Sequence, residues 1–496
     1  MSLLGIDVGT GGTRALVIDE AGGIVASATV EHTAFASPQT NWAEQDARDW
    51  WRAAQQAVRA VLSQGKVRAA DIKCIGFSGQ MHGATLLDER DEVLRPAIIW
   101  CDGRTDTECR QLTEQVGAQR LIELVANPAL EGFTLPKLLW VRKHEPEVWA
   151  RVRSVLLPKD YVRLRLTGTH ATDVADASGT LLFDVQARAW SNLMLAHTGL
   201  ERSLLPEVYE SPQVCAQVSA EGARATGLIE GTPVVAGAGD QAAGAVGLGI
   251  VRAGAVSATI GTSGVVFAAT DRPTFDPAGR VHTFCHAIPG RWHVMGVTQA
   301  AGLSLRWFRD RFGAGDEDGR DAYARLSDEA ATAPPGADGV LWLPYLMGER
   351  TPHLDPYARA ALVGVSASHS RAHILRAILE GVAFSLRDTL TIFREMRVPI
   401  DSIRLGGGGA RSALWRQIQA DVYNHAVELA EAEEGAAYGA ALLAGVGAGV
   451  WSDVDEACAQ VVRVSERVEP DPEAARVLES RYRVYQAIYP ALRDVM

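Results

Sequence analysis

The strongest constraint on this chain is a device that occurs twice. Residues Gly5 to Asp19 read GIDVGTGGTRALVID, a strand, a glycine turn and a returning strand. Ile6 and Val8 flank Asp7, which places its carboxylate at the end of a buried strand. Gly9, Gly11 and Gly12 strip the bend of Cβ atoms, and Thr10 and Thr13 bring hydroxyls to it. Such a turn aims successive backbone N–H groups at an anion. Taken alone, the stretch also fits an ordinary hairpin with an aspartate near its turn. About 250 residues later, AVSATIGTSGVVFAAT (Ala255 to Thr270) repeats the pattern, with Gly261-Thr262-Ser263-Gly264 falling on Gly9-Thr10-Gly11-Gly12. A strand and a helix are expected after each copy: Gly23 to Val30 with Asp46 to Gly65, then Arg291 to Val297 with Leu303 to Phe312. The repetition favours the anion cradle and implies two related α/β halves whose turns face one cleft. The first copy carries an acid, Asp7, whereas the second has Ile260 before its Gly-Thr. One metal site and a two-sided phosphate clamp follow, because Mg²⁺ is commonly held by one or two carboxylates together with phosphate oxygens.

Length agrees with duplication, since 496 residues exceed what one core can organise. The expected division is 1–245 and 246–496, with a helical insertion on the first part over about 105–230. There is no apolar run long enough to span a bilayer and no basic-then-apolar leader pattern, so a cytoplasmic protein is expected. A net charge of −12 without a basic block argues against nucleic acid as a partner. The six cysteines lie far apart and include no C-x-x-C pair, which reads as reduced thiols.

Four further stretches place chemistry at loop positions. Gly79-Gln80-Met81-His82-Gly83 follows a strand and puts two side chains at the lip of a sheet, where ligands of α/β folds sit; a hydrogen-bonded structural histidine is the alternative. Asp102 and Arg104, after the strand PAIIW, suit either a polyol or the start of a helix near Thr105. Asp240 follows the apolar strand PVVAGAG and opens a small-residue helix. There it serves either as a helix cap or as a general base in a cleft, with the helix dipole favouring its ionised form. Gly406 to Gly409 separate a short strand from a helix expected to open at Ala410-Arg411-Ser412, leaving room for a flat group or a phosphate. They match neither a P-loop nor a dinucleotide fingerprint. The next helix, Glu434 to Gly445, has a small-residue face expected to pack beneath that glycine loop. His282, His286 and His293 read as structural or pocket-lining residues rather than metal ligands.

Two longer motifs carry a resemblance. Gly132-Phe133-Thr134-Leu135-Pro136-Lys137-Leu138-Leu139-Trp140 is similar to one signature of the FGGY carbohydrate kinase family, and Ala360 to Val365 with HILRAILE (His373 to Glu380) is similar to the other. The likeness runs over nearly the whole chain. It implies the duplicated actin-like, ribonuclease-H-like ATPase fold, ATP and Mg²⁺ as cofactors, a sugar substrate and a homodimer. By the same resemblance Asp7 holds the metal, Asp240 is the catalytic base, and Met81, His82, Asp102, Asp240 and Gln241 contact the sugar. Gly9, Thr10, Gly11, Gly261, Thr262, Gly407 and Gly408 then bind the nucleotide. The sugar-facing segments Gln80 to Ala84, Trp100 to Arg104, LPKDYVRLRLTG and GDQAAGAVG resemble the branch acting on ketopentoses, D-xylulose above all, with gluconate kinases as the alternative. An actin-like ATPase that uses ATP as a conformational switch is the alternative from another class. Two positions depart from that branch: Gln241 stands where it often has Asn, and Gly11-Gly12-Thr13-Arg14 where Ser-Gly-Val-Lys is common.

Overall fold

The first hairpin forms where alternation and the glycines require it. β1 (Ser2–Val8) and β2 (Gly12–Asp19) pair antiparallel, with Asp7 opposite Arg14 and Val8 opposite Thr13. β3 (Ile24–Glu31) extends the sheet beyond β2, and β4 (Ile72–Gly79) runs parallel to β1 on its other side, setting Ser78 beside Asp7. β5 (Val214–Gln217) and β6 (Pro233–Val235) complete the order β5-β6-β4-β1-β2-β3, and Ala238–Gly239 pairs with the end of β4. These coordinates are a computed structural model that describes residues 1–313, 321–431 and 435–495.

The second sheet repeats the first. β7 (Gly254–Ile260), β8 (Gly264–Thr270), β9 (His282–Cys285), β10 (Trp292–Thr298), β11 (Ile400–Gly406), β12 (Val427–Ala430) and β13 (Val464–Val468) lie in the order β9-β10-β8-β7-β11-β12-β13. The strands β7, β8, β10, β11, β12 and β13 reproduce β1, β2, β3, β4, β6 and β5 in place and direction, and β9 is an added edge. This is the duplicated α/β architecture expected from the repeat, and the actin-like fold that the family resemblance implies. The two turns differ in length: Gly9 to Gly12 lie between the paired Val8 and Thr13, but only Gly261 to Ser263 lie between Ile260 and Gly264. Two residues before each turn glycine stand Asp7 and Thr259, so Thr259 takes the place of the acid and Ile260 that of Val8.

Helices fill both faces. α1 (Ala47–Ser63) starts at Asp46, whose side chain accepts from the Arg48 N–H, and buries Trp50, Ala53, Ala57 and Val61; Gly65 follows with φ +72°. Residues 134–149 form two helical pieces, α2 (Thr134–His144) and a turn from Pro146 to Trp149, because Pro146 disfavours helical geometry at Glu145. α3 (Asp240–Gly247) leads into the second sheet, and α4 (Arg371–Glu395) runs buried beneath it.

The small-residue helix α6 (Gly435–Gly447) differs from expectation; Glu434, its expected start, lies outside the described residues. Rather than packing only beneath the glycine loop, α6 crosses to the first sheet and to α3. A Cβ on Gly5 would lie 2.0 Å from the Ala437 carbonyl oxygen, and one on Gly76 would lie 1.9 Å from that of Ala440. A Cβ on Gly439 would lie 1.8 Å from the Ala243 carbonyl oxygen. Backbone therefore packs on backbone, and the glycines are the reason it can. An apolar cluster containing Met81, Phe133, Phe267 and Phe284 also joins residues from both halves.

Candidate active site

The sheets' inner strands end at a cleft of about 370 Å³. Asp7 from β1, Asp240 and Gln241 from α3, and Gly407 and Gly408 after β11 all line it, with Thr259, Gly435 and Ala436. Five of the thirteen site residues expected from sequence are thus brought into one cavity. The turns Gly9-Thr10-Gly11 and Gly261-Thr262 close strands that run into the cleft, but they are not part of its lining.

Asp240 is the first residue of α3. Gly239 occupies the cap position and there is no side-chain cap, so helix capping does not account for the aspartate. Burial pushes its carboxyl up to about 7, the charge of Asp7 pushes the same way, and the Gln241 amide, which donates to Asp240 Oδ1 at 3.3 Å, pulls it back. The helix dipole was expected to favour the ionised form; desolvation and the neighbouring carboxylate outweigh it. Asp7 is also raised by burial, with Ser78 and Arg14 opposing. Its Oδ1 is buried and has no hydrogen-bond partner among the described residues.

The first turn is braced from behind. Gln45 Nε2 donates to the Thr10 carbonyl at 2.8 Å, and Trp100 Nε1 donates to Thr10 Oγ1 at 2.9 Å. Gln80 donates to Gln45 Oε1 at 2.8 Å, and His32 Nε2 lies 2.8 Å from Thr13 Oγ1. The second turn is braced by the helix Gly302–Phe312, whose Gly302 and Leu303 N–H groups donate to the Gly261 and Thr262 carbonyls. In both turns the carbonyls point back into the protein. The N–H groups of Thr10, Gly11 and Thr262 make no hydrogen bond among the described residues, as an anion cradle requires.

The third glycine cluster folds into a 3₁₀ turn, Gly408–Arg411, and its helix α5 (Ala413–Tyr423) begins later than expected because Ser412 caps it by accepting from the Trp415 N–H. Gly407 has φ +73°, and a Cβ there would lie 2.6 Å from the Ile260 carbonyl oxygen. These glycines therefore serve the close approach of the loop to β7 as well as the cleft.

Met81 sits next to the Asp240 turn: a Cβ on Gly239 would lie 2.8 Å from Met81 Cγ. His82 has φ +69°, and its Nδ1 lies 2.7 Å from the Gly179 carbonyl oxygen, so Nδ1 carries the proton and Nε2 is left as an acceptor. Burial and the nearby Lys137 hold the ring neutral, with its pKa down to about 3. Lys137, on α2 and fully buried, donates to the His82 carbonyl at 2.9 Å and the Gly132 carbonyl at 2.8 Å, and burial lowers its pKa to about 7. Asp102 does not line the cleft. Both its oxygens are taken by Arg104 and by the Ala43 N–H, and Arg104 stacks on Trp42 with its Cζ 3.7 Å from the ring centre. It does not cap the following helix either, which starts at Asp106 behind Thr105.

The bracing residue Gln45 carries no mark in the sequence beyond a polar side chain at an otherwise buried position, whereas Lys137 lies inside the Gly132–Trp140 motif, where no role was expected of it. His282, His286 and His293 are buried in aromatic stacks with Phe284 and Phe267, as the structural reading expected. Among the described residues one carboxylate cluster has metal-like spacing, Asp160, Asp173 and Asp176. The Lys159 ammonium stands 2.6, 2.6 and 3.2 Å from them and fills the cation's place.

Residues 2–247 match the N-terminal domain of the FGGY family of carbohydrate kinases, and residues 256–448 match its C-terminal domain. The chain is 40% identical to a xylulose kinase of Escherichia coli over 494 residues, covering 99% of each, and 38% identical to one of Bacillus subtilis, covering 99% of this chain and 97% of that protein. Among solved structures it superposes on a xyloylose kinase from Brucella ovis with a TM-score of 0.93 at 37% identity, each chain wholly covered. A gluconate kinase from Lactobacillus acidophilus superposes with a TM-score of 0.92 at 26% identity, over 99% of this chain and 98% of that one. Two matched domain models, full-length relatives and a duplicated fold around one acidic cleft lead to a single conclusion: the chain belongs to the FGGY family of carbohydrate kinases.

Proposed function

We propose that this kinase transfers the γ-phosphoryl group of ATP to the terminal hydroxyl of a ketopentose, D-xylulose, giving D-xylulose 5-phosphate. The observation that carries this reading is the pairing of Asp7 and Asp240 in one cleft, with the Asp240 carboxyl raised to about 7. A base poised near neutrality suits proton removal from an alcohol. The named relatives support the choice of sugar, since full-length identity to the xylulose kinases of Escherichia coli and Bacillus subtilis exceeds that to the gluconate kinase.

Phosphoryl transfer needs alignment and charge neutralisation more than covalent help. Asp240 accepts the proton of the attacking hydroxyl, and the Gln241 amide orients its carboxylate. The Gly9-Thr10-Gly11 and Gly261-Thr262 turns offer free N–H groups to the phosphates from the two sides, and Gly407 and Gly408 leave room for the adenosine. His82 Nε2 accepts from a sugar hydroxyl, and Met81 packs against the carbon chain. The donor set fits Mg²⁺: a hard carboxylate, Asp7, with an orphaned buried oxygen facing a second acid. When bound, the ion neutralises phosphate charge. Closure of the two halves excludes water and so limits ATP hydrolysis.

A coupled ADP-release assay over a panel of ketopentoses, polyols and aldonic acids tests the proposal. ADP release that depends on D-xylulose is the expected result. Release with gluconate instead would reassign the substrate, and release without any sugar would favour a nucleotide-driven switch.

A further inference from the structure

Near His82, one of the residues assigned to the sugar, stands a cation that the roles above leave unused. Arg350 lies in the loop after the strand Leu341–Leu343, in the second half of the chain. Its backbone is pinned from both sides. Glu349, buried, accepts from the Arg350 N–H at 2.8 Å, the Gln299 N–H at 3.0 Å and the Thr298 hydroxyl, and Thr351 exchanges hydrogen bonds with Val297 at 3.0 and 3.1 Å. The loop is thereby fixed to the end of β10, and the side chain reaches out of it to the first half. A Cβ on Gly132 would stand 3.5 Å from Arg350 Nη2 and 3.1 Å from the Trp100 carbonyl oxygen, so that glycine leaves the guanidinium its place.

Arg350 is half-buried, yet its guanidinium makes no hydrogen bond or ion pair among the described residues. Its charge acts on the His82 and His282 rings, lowering both, and it is itself lowered by burial, with Glu131 and Glu349 opposing. Other inward-facing arginines here are matched: Arg104 by Asp102 and Glu44, Arg163 by Asp160, Arg376 by Glu380. An arginine withdrawn from water without a partner is costly, and a rigid fork of donors in a ligand cleft is a recognition element. Contacts link these residues in turn: Gly239, which precedes Asp240, meets Met81; His82 follows Met81; and Lys137 joins the His82 and Gly132 carbonyls, with Arg350 Nη2 beside Gly132.

We propose that Arg350 is a substrate-binding residue contributed by the second half of the chain, its guanidinium gripping the keto end of the sugar, the C1 hydroxyl and C2 carbonyl, while the far hydroxyl lies at Asp240. The inference rests on the ketopentose reading. It also gives the second half a direct hold on the sugar, so sugar as well as nucleotide draws the two halves together.

The test is calorimetric binding of D-xylulose and of 1-deoxy-D-xylulose to the full-length wild type, Arg350→Met and Arg350→Lys, with ATP affinity and thermal midpoint measured alongside. Losing hydrogen bonds from a charged donor should weaken D-xylulose binding about 10- to 100-fold in Arg350→Met, and less in Arg350→Lys. ATP affinity should stay within about twofold. The wild type should prefer D-xylulose to the 1-deoxy sugar, and Arg350→Met should lose that preference, a coupling that a merely structural arginine would not show. Unchanged D-xylulose affinity in Arg350→Met, or an intact preference for the C1 hydroxyl, would overturn the inference. Arg350→Lys keeps the charge and the stem, so it supplies the same comparison should the methionine variant fold poorly. The kinase reading fails separately, if the wild type binds the ketose without transferring phosphate to it; binding still reads Arg350 in that case.

Discussion

Asp7 and Asp240, 233 positions apart in sequence, charge against each other in one cleft, and the presence of Asp7 helps hold the Asp240 carboxyl near neutrality. Burial is the larger cause, and Gln241 alone among the side chains acting on it pulls the other way. The acid of a duplicated turn and the acid that opens α3 thus form one electrostatic unit. That unit makes the behaviour of variants directional.

Asp240→Asn should cost about 10²- to 10⁴-fold in turnover, the usual effect of removing a positioned base. Nucleotide affinity should survive, because the turns and glycines that hold it are elsewhere. ADP release under saturating sugar, together with ATP binding by calorimetry, checks both halves of the statement. Turnover within about tenfold of wild type would remove Asp240 from the mechanism.

The same carboxyl sets a pH dependence. Its folded value, about 7, lies above that of an unfolded aspartate, so kcat/KM should fall about tenfold per unit as pH drops below 7. The stability effect has the opposite slope: the folded state holds this proton more tightly, so the group's contribution declines as pH rises from the ordinary carboxylate range to about 7, then levels. Asp240→Asn removes that decline. Its thermal midpoint should therefore exceed that of the wild type by a margin that grows up to about pH 7 and is constant above it. A margin that shrinks with pH would mean the carboxyl is not raised.

How much of this could be read from the chain alone depended on whether neighbours in space were neighbours in sequence. The paired turns were visible because glycines, threonines and strand alternation lie within fifteen residues, and Asp240 because a helix start follows an apolar strand. Asp102 reads as a ligand in sequence, but Arg104 two residues on has already folded its guanidinium onto it. The dipole argument for Asp240 failed because a charge from residue 7 acts on residue 240. The path of α6 was hidden for the same reason: Gly5, Gly76 and Gly439 show their purpose only when the Ala437, Ala440 and Ala243 carbonyls are seen against them.

That packing yields a prediction about stability. Gly439→Val and Gly5→Val each force side-chain atoms onto a backbone carbonyl at about 2 Å, where only movement of a helix can relieve the clash. Each should destabilise by about 3 kcal/mol or more, at or beyond the upper end of ordinary overpacking, lowering the thermal midpoint by several degrees. Gly11→Ala, with nothing within 4 Å of its new Cβ, is the control and should leave the midpoint near wild type. Equal midpoints for Gly439→Val and the control would show that α6 does not sit against α3.

Gln241 and Asp7 act on the same carboxyl with opposite sign, and this gives the most demanding test of the unit. Gln241→Leu removes the amide that donates to Asp240 Oδ1, so the acid limb of the kcat/KM profile should move to higher pH. Asp7→Asn removes a neighbouring negative charge, so whatever activity remains should show its acid limb at lower pH, while the Mg²⁺ concentration for half-maximal activity rises. Lost activity alone cannot produce two shifts in opposite directions, since a damaged site lowers the whole profile without moving its midpoint. If both variants shift the same way, or neither does, the profile reports some group other than Asp240.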